Sequence, residues 1–197
     1  LGDVYKRQLT DKGTDLELFV KGKKVMVDDG DFSKPGRGGN IPAGEVFVSP
    51  VLGEGGGTVV IDGSIALEPS RIVREPVEVR IEKGRVVEVK GGELARELES
   101  FLKEAEKKPF ELERMGRMTE ERAKEAAKAA RNVGEFGMGL NPSAIISGNV
   151  LEDEKVLGTV HVAIGRDFEE QSPALIHVDC VIRQPTVYFD GDKVMDK

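Results

Sequence analysis

The sequence predicts an α+β fold, in which a mixed or antiparallel β-sheet core carries an insert of two helices. Segments with strand-like alternation occupy both ends of the 197-residue chain, and two helical segments lie between them. Strands and helices do not alternate regularly, which disfavours a doubly wound parallel sheet. A chain of this length corresponds to one domain, or to one domain and a fragment.

The N-terminal half reads as a series of strands. Asp15–Val20 alternates apolar and polar residues, and we expect Val25–Val27 to pair with it across a short Gly-containing turn. A β-like segment follows at Thr58–Ala66. Val77–Glu82 and Arg85–Val89 are separated by a Lys-Gly pair and are predicted to form a hairpin.

The middle of the chain is helical. Apolar residues recur at helical spacing through Gly92–Lys108, and we expect Pro109 to end this helix because proline has no N–H to donate. Thr119 is a favourable N-cap for a second helix with a narrow alanine stripe. The chain then returns to strands, predicted at Gly158–Ile164, Ala174–Ile182 and Thr186–Phe189, with Lys193–Met195 as a short return strand.

Composition excludes several classes of protein. The net charge is −7 and no basic stripe is present, so neither nucleic acid nor a membrane surface is an expected partner. No apolar run reaches the length of a membrane helix. The single cysteine, Cys180, excludes an internal disulfide framework and a multi-cysteine zinc site. In the absence of a signal peptide we predict a cytoplasmic protein.

The first residues look foreign to the rest of the chain. Residues 3–8 read DVYKRQ, which resembles the translation of a transposase adaptor used to tag sequencing libraries. We therefore predict that Leu1–Gln8 is an adaptor-derived segment that makes no integral contribution to packing. Residues 9–197 would then be the native domain, incomplete at both ends.

Two histidines carry most of the chemical information. His161 and His177 both lie in strands rich in β-branched residues. Because side chains alternate along a strand, His177 and Asp179 share one face, and Cys180 points to the other as a core residue. A buried His-Asp pair needs polar partners, and a metal ion meets that need. The alternative is a simple hydrogen bond that orients a core imidazole.

Two glutamates stand out by their context. Glu45 and Glu135 are flanked by glycines, which allow a ligand or ion to approach the backbone closely. The alternative for each is a solvated loop residue. The dense charge run 152–155 is expected to be an exposed turn or short helix. The Gly-rich loops lack the residue order of phosphate-binding loops.

Five segments, taken together and in order, resemble the catalytic half of the aminopeptidase T/aminopeptidase S family of metalloaminopeptidases. They are Asn40–Pro50, Thr58–Ala66, Gly134–Pro142, Leu151–Gly165 and Leu175–Thr186. The resemblance implies that 9–197 is a truncated metallopeptidase-like catalytic domain, that the full protein is a homodimer, and that a separate N-terminal α/β domain is absent here. It also implies a set of metal ligands, namely Glu45, Glu135, His161, His177 and Asp179.

The function implied by the resemblance is a metal-dependent aminopeptidase that removes hydrophobic N-terminal residues from peptides. Two divalent ions, drawn from zinc, cobalt, manganese or magnesium, would activate a water molecule. The general base is not identified, and Phe136, Met138 and Leu140 either line a substrate pocket or pack in the core. Phe168 stands where the family has a tyrosine, which motivates one alternative, a hydrolase of another amide or ester. A second alternative is a non-catalytic interaction domain whose histidines and carboxylates are structural.

Overall fold

The computed structural model describes residues 5–33, 35–36 and 38–196, and it shows an α+β fold built on antiparallel sheets. In chain order the elements are β1 (Tyr5–Leu9), β2 (Asp15–Phe19), β3 (Val25–Asp28), β4 (Glu45–Val48), β5 (Gly56–Ile61), β6 (Ser64–Ile65), β7 (Arg71–Ile72), β8 (Val77–Glu82), β9 (Arg85–Lys90), α1 (Glu93–Arg114), α2 (Glu120–Ala129), β10 (Val133–Gly139), α3 (Val150–Asp153), β11 (Thr159–Gly165), β12 (His177–Arg183), β13 (Thr186–Phe189) and β14 (Asp192–Met195).

Within the described residues the strands form two seven-stranded sheets. Sheet 1 has the order β14-β13-β1-β2-β5-β8-β9, and sheet 2 has the order β3-β4-β10-β11-β12-β6-β7. Their inner faces share a hydrophobic core, in which Ile61 and Val79 of sheet 1 lie near Val162 and Cys180 of sheet 2. The core position predicted for Cys180 is therefore confirmed, and the outer face of sheet 2 is left for polar side chains.

The predicted hairpin and the two-helix insert are confirmed. The strands β8 and β9 pair antiparallel, and the insert α1–α2 connects β9 to β10. Thr119 caps α2, since its side chain accepts a hydrogen bond from the Arg122 N–H at 3.3 Å. Among the described residues, no helix combines the length and the apolar character needed to cross a membrane.

Two local predictions are wrong. Pro109 does not end α1, which continues to Arg114 with the proline ring buried. The helix loses one backbone hydrogen bond there, and packing of α1 against α2 offsets the loss. Strand β3 pairs with β4 in sheet 2 and not with β2, because both edges of β2 are occupied by β1 and β5.

The prediction that Leu1–Gln8 makes no packing contribution is also wrong for its described part, and residues 1–4 lie outside the described residues. Strand β1 pairs with β13 on one side and β2 on the other, and Lys6 and Gln8 are fully buried. Backbone hydrogen bonds require no particular side chain, so a segment can pair between two strand edges even where its side chains suit the position poorly. The adaptor origin of the segment stays a prediction.

Lys6 is chemically unsuited to this position. Its Nζ lies 3.0 Å from the centre of the Phe136 ring and 3.0 Å from Gln8 Oε1, and burial lowers the pKa of Lys6 well below its ordinary value. We expect Lys6→Met to raise the free energy of unfolding by roughly 1–4 kcal/mol near neutral pH, because no buried ammonium remains to be desolvated. Chemical denaturation measures this change.

The pH dependence of that difference provides a further check. The unfolded chain keeps the Lys6 proton up to its ordinary pKa, whereas the folded chain releases it at lower pH. The parent therefore gains stability as pH rises through this window, and the advantage of Lys6→Met shrinks toward alkaline pH. Lys103→Met, at a side chain that is 60% exposed, serves as the control and should change little. Equal effects of the two substitutions would contradict the buried position of Lys6.

Candidate metal centre

The strand register of sheet 2 assembles a polar site on its outer face. The neighbouring strands β10, β11 and β12 place Gly137 opposite His161, and Ala163 lies between Glu135 and Asp179. The small residues leave space above the sheet for the larger polar side chains beside them. Alternation thus aligns functional side chains from three strands that are distant from one another in the sequence.

The structure brings the five predicted side chains together and adds two more. We call this group the histidine–carboxylate cluster, and its members are Glu45, Glu135, Glu154, Lys155, His161, His177 and Asp179. Glu45 begins β4 and Glu135 lies in β10, and both are buried, so neither is the solvated loop residue of the alternative interpretation.

Glu135 connects the two histidines. Its Oε1 lies 2.8 Å from His161 Nε2, and its Oε2 lies 3.6 Å from His177 Nε2. Asp179 Oδ1 is 3.3 Å from the same His177 nitrogen, and Glu45 Oε2 is 3.5 Å from His161 Nε2. Both Nε2 atoms therefore face carboxylate oxygens across a small space.

Contacts with the backbone hold the two imidazole rings in place. The Nδ1 of His177 donates to the carbonyl of Arg166 at 2.8 Å, so that Nε2 is the ring nitrogen that faces the carboxylates. The His161 ring lies against Gly137, where an added Cβ would overlap it. The glycine is thus required for the close approach of His161 to the strand.

The sequence pattern did not single out Glu154 and Lys155. The charge run 152–155 was expected to be an exposed turn or short helix, but Asp153, the last residue of the short helix α3, is buried, and so are Glu154 and Lys155, which follow it. Lys155 Nζ lies 2.9 Å from Glu45 Oε1 and also pairs with Glu154. Charged side chains can be buried where they form ion pairs, but the local sequence pattern does not show whether a distant residue will provide the opposite charge. The available signal was the position of the run within one of the five family-like segments.

The carboxylates dominate the electrostatics of the cluster. Burial disfavours a charged imidazole, but the hydrogen bond with Glu135 and nearby carboxylates outweigh it and raise the pKa of His161 to about 9. Burial is likewise outweighed at His177, where the hydrogen bond with Asp179 raises the pKa to about 9. Burial and the charge of Asp179 raise the pKa of Glu154 to about 7. The site therefore attracts positive charge, and a cation could replace the protons on the imidazoles.

The donor atoms fit a divalent metal ion. Two groups of side chains each offer atoms within 4.8 Å of one another, Glu45–Glu154–His161 and Glu135–His177–Asp179. Within the part of the chain that the structure describes, the buried Oε2 atoms of Glu45 and Glu135 have no hydrogen-bond partner. Buried polar atoms normally have a hydrogen-bond partner, and a bound cation would satisfy these two oxygens in its place. Metal binding at this cluster is consistent with its chemistry.

The apolar residues proposed for a substrate pocket lie elsewhere. Phe136 and Met138 alternate with Glu135 and Gly137 along β10 and point into the core between the sheets, whereas Leu140 is partly exposed. Phe168 lies beside the cluster, with its ring centroid 5.4 Å from that of His177 and 4.8 Å from that of Phe47.

Comparisons with known proteins separate the fold from the function. The model of the NicX family, 2,5-dihydroxypyridine 5,6-dioxygenase, matches residues 7–197. The 2,5-dihydroxypyridine dioxygenase of Pseudomonas putida KT2440 has a similar structure, with a TM-score of 0.79 and 20% identity over 97% of this chain and 53% of that one. No curated protein matches the sequence.

The wild-type AmpT, an aminopeptidase T from Thermus thermophilus, also has a similar structure. Its TM-score is 0.66 at 20% identity, covering 97% of this chain and 47% of that one. This chain thus spans about half the length of the solved structures that it matches. The likeness supports a distant aminopeptidase-like fold and nothing finer, because the same fold carries different reactions.

The prediction of a metalloaminopeptidase, and with it of a hydrolase or protease, is wrong. The family model that covers the chain from residue 7 to its last residue is that of a dioxygenase, and so is the structure with the TM-score of 0.79. The five segments carry polar residues on a fold that both kinds of enzyme share, so they predicted the fold and five members of the histidine–carboxylate cluster but the wrong chemistry. Phe168, which lacks the phenolic oxygen of the aminopeptidase family, was the residue that already departed from that pattern.

Proposed function

The chain belongs to the 2,5-dihydroxypyridine 5,6-dioxygenase family, and from that premise we propose that the histidine–carboxylate cluster holds one divalent iron ion for oxygenative cleavage of a hydroxylated pyridine ring. Two imidazoles and one carboxylate with open positions are the typical ligands of non-haem iron oxygenases. The observation that carries the proposal is Glu135, whose two carboxylate oxygens face His161 Nε2 and His177 Nε2.

His161, His177 and a carboxylate, Glu135 or Asp179, would hold the ion. Bound iron supplies the one-electron chemistry that activates dioxygen and a Lewis-acid contact for a substrate hydroxyl group. The Arg166 carbonyl fixes the tautomer of His177, and Gly137 permits the position of His161. Asp179 stays ionised, since its hydrogen bond and charge interaction with His177 outweigh burial and lower its pKa.

Lys155 supports a single ion in place of the two expected from the sequence. The Glu45–Glu154–His161 group contains two glutamates, and both already pair with the ammonium of Lys155. A second dication there would lie next to a buried positive charge, which is unfavourable at low dielectric. On the other side, no lysine or arginine of the described residues forms an ion pair with Glu135, His177 or Asp179.

The direct test loads the protein with ferrous iron without oxygen and then supplies 2,5-dihydroxypyridine and labelled dioxygen. We expect one iron per chain, consumption of substrate and oxygen in equal amounts, and both labelled oxygen atoms in a ring-opened product. Zinc-loaded protein, whose ion has no redox chemistry, is the control and should be inactive. Iron-loaded protein that binds one ion but consumes neither substrate nor oxygen would overturn the proposal.

A further inference from the structure

The histidine–carboxylate cluster is most open to solvent on one side. The His161 side chain is fully buried and that of Glu135 is 5% exposed, whereas those of His177 and Asp179 are 21% and 12% exposed. A ligand that reaches the cluster without displacing core residues must therefore approach along the edge formed by His177 and Asp179. The side chains that line this edge are therefore the first that an approaching ligand contacts.

Phe168 stands at this edge. The residue is 56% exposed, its ring meets that of His177 edge-on at an interplanar angle of 78°, and it packs against Phe47 on another side. Isolated exposed apolar residues are common on protein surfaces. This one differs because it touches a candidate metal ligand at the open side of a buried polar cluster.

The position of Phe168 is fixed by its backbone. Its N–H donates to Ser49 Oγ at 3.2 Å, and Ser49 is itself buried. The preceding residue, Asp167, is buried and its Oδ1 accepts the N–H groups of Gln171 and Ser172 at 2.9 and 3.0 Å. These bonds fix the backbone that carries the ring, and the ring itself packs against Phe47 and His177, so little entropy is lost when a ligand packs on it.

We propose that Phe168, backed by Phe47, forms an aromatic rim that binds the planar ring of the substrate beside His177 and selects for aromatic ligands. The inference rests on the function proposed above and adds the residue that recognises the ring. Aromatic rings gain from offset or edge-to-face contact beyond the burial of area. A planar hydroxylated ring can lie against Phe168 while its hydroxyl groups point to the polar cluster.

The test compares binding of 2,5-dihydroxypyridine to the iron-loaded parent and variants without oxygen. Phe168→Leu should weaken binding roughly three- to tenfold, since the apolar volume remains but the ring contact is lost. Phe168→Tyr keeps the ring and should bind within about twofold of the parent. Phe110→Leu, at a partly exposed ring on α1, is the matched control and should have no effect. Iron content should be equal in all four proteins.

The outcomes separate this inference from the function on which it rests. A parent that binds iron but no dihydroxypyridine would remove the proposed function. A parent that binds the ligand while Phe168→Leu binds it equally well would overturn the rim and leave the function intact. Loss of iron in Phe168→Leu would show that the ring supports His177 instead of contacting the ligand, which also contradicts the proposal.

Discussion

Asp179→Asn is expected to leave the chain folded but to abolish the proposed iron binding and oxygenase activity. The substitution keeps the shape of the side chain and removes a negative charge that faces His177 Nε2 at 3.3 Å. In the parent this carboxylate stays ionised, because its interactions with His177 outweigh burial and lower its pKa. We expect iron affinity to fall at least 100-fold, beyond the loss typical of residues that only support a ligand.

Elemental analysis of dialysed protein measures this effect, and thermal unfolding reports the fold. A purely structural His177–Asp179 hydrogen bond would cost only about 1–3 kcal/mol of stability and leave the metal content unchanged. Asp192→Asn, at an exposed carboxylate in β14, is the matched control. An Asp179→Asn protein that retains a full equivalent of iron would exclude Asp179 as a ligand.

Gly137→Ala should also abolish metal binding at the histidine–carboxylate cluster, because the substitution displaces His161. The added Cβ would overlap Nε2 and Cε1 of His161, so the imidazole must leave the position from which it faces Glu135. We expect loss of iron binding together with a destabilisation of about 1–3 kcal/mol, as for overpacked cores. Iron titration followed by denaturation of the metal-free protein separates the two effects.

Gly38→Ala provides the control for this substitution. An added Cβ at Gly38 meets open space, and its backbone does not adopt the left-handed conformation that favours glycine. It should therefore leave both iron affinity and stability close to those of the parent. If Gly137→Ala bound iron as tightly as Gly38→Ala, the position of His161 against β10 would not matter for the site.

Signals confined to a few neighbouring residues predicted much of this structure correctly. The hairpin β8–β9 and the Thr119 cap follow from spacing and from residue type alone. Alternation in β12 placed His177 and Asp179 on one face and Cys180 on the other. Each depends on local backbone geometry, which a short segment determines by itself.

Predictions that depended on distant partners failed. Whether Pro109 ends a helix depends on the packing available to the following turn, and the partner of β3 depends on which strand edges are already occupied. The run 152–155 looked solvated because the buried carboxylate that pairs with Lys155 lies about a hundred residues earlier, at Glu45. The residues of the charge run alone do not indicate that a distant glutamate will pair with Lys155.

The sequence by itself determined the fold class and the two-helix insert, and it singled out five of the seven side chains of the histidine–carboxylate cluster. Only the tertiary structure decided that β4, β10, β11 and β12 lie side by side, so that Glu45, Glu135, His161 and Asp179 meet across Gly137 and Ala163. The physical reason is that pairing between remote strands follows from the free energy of packing the whole core, which no single segment carries. The same reason explains the error in function, since residues that suit a metal centre on a shared fold do not specify the reaction performed there.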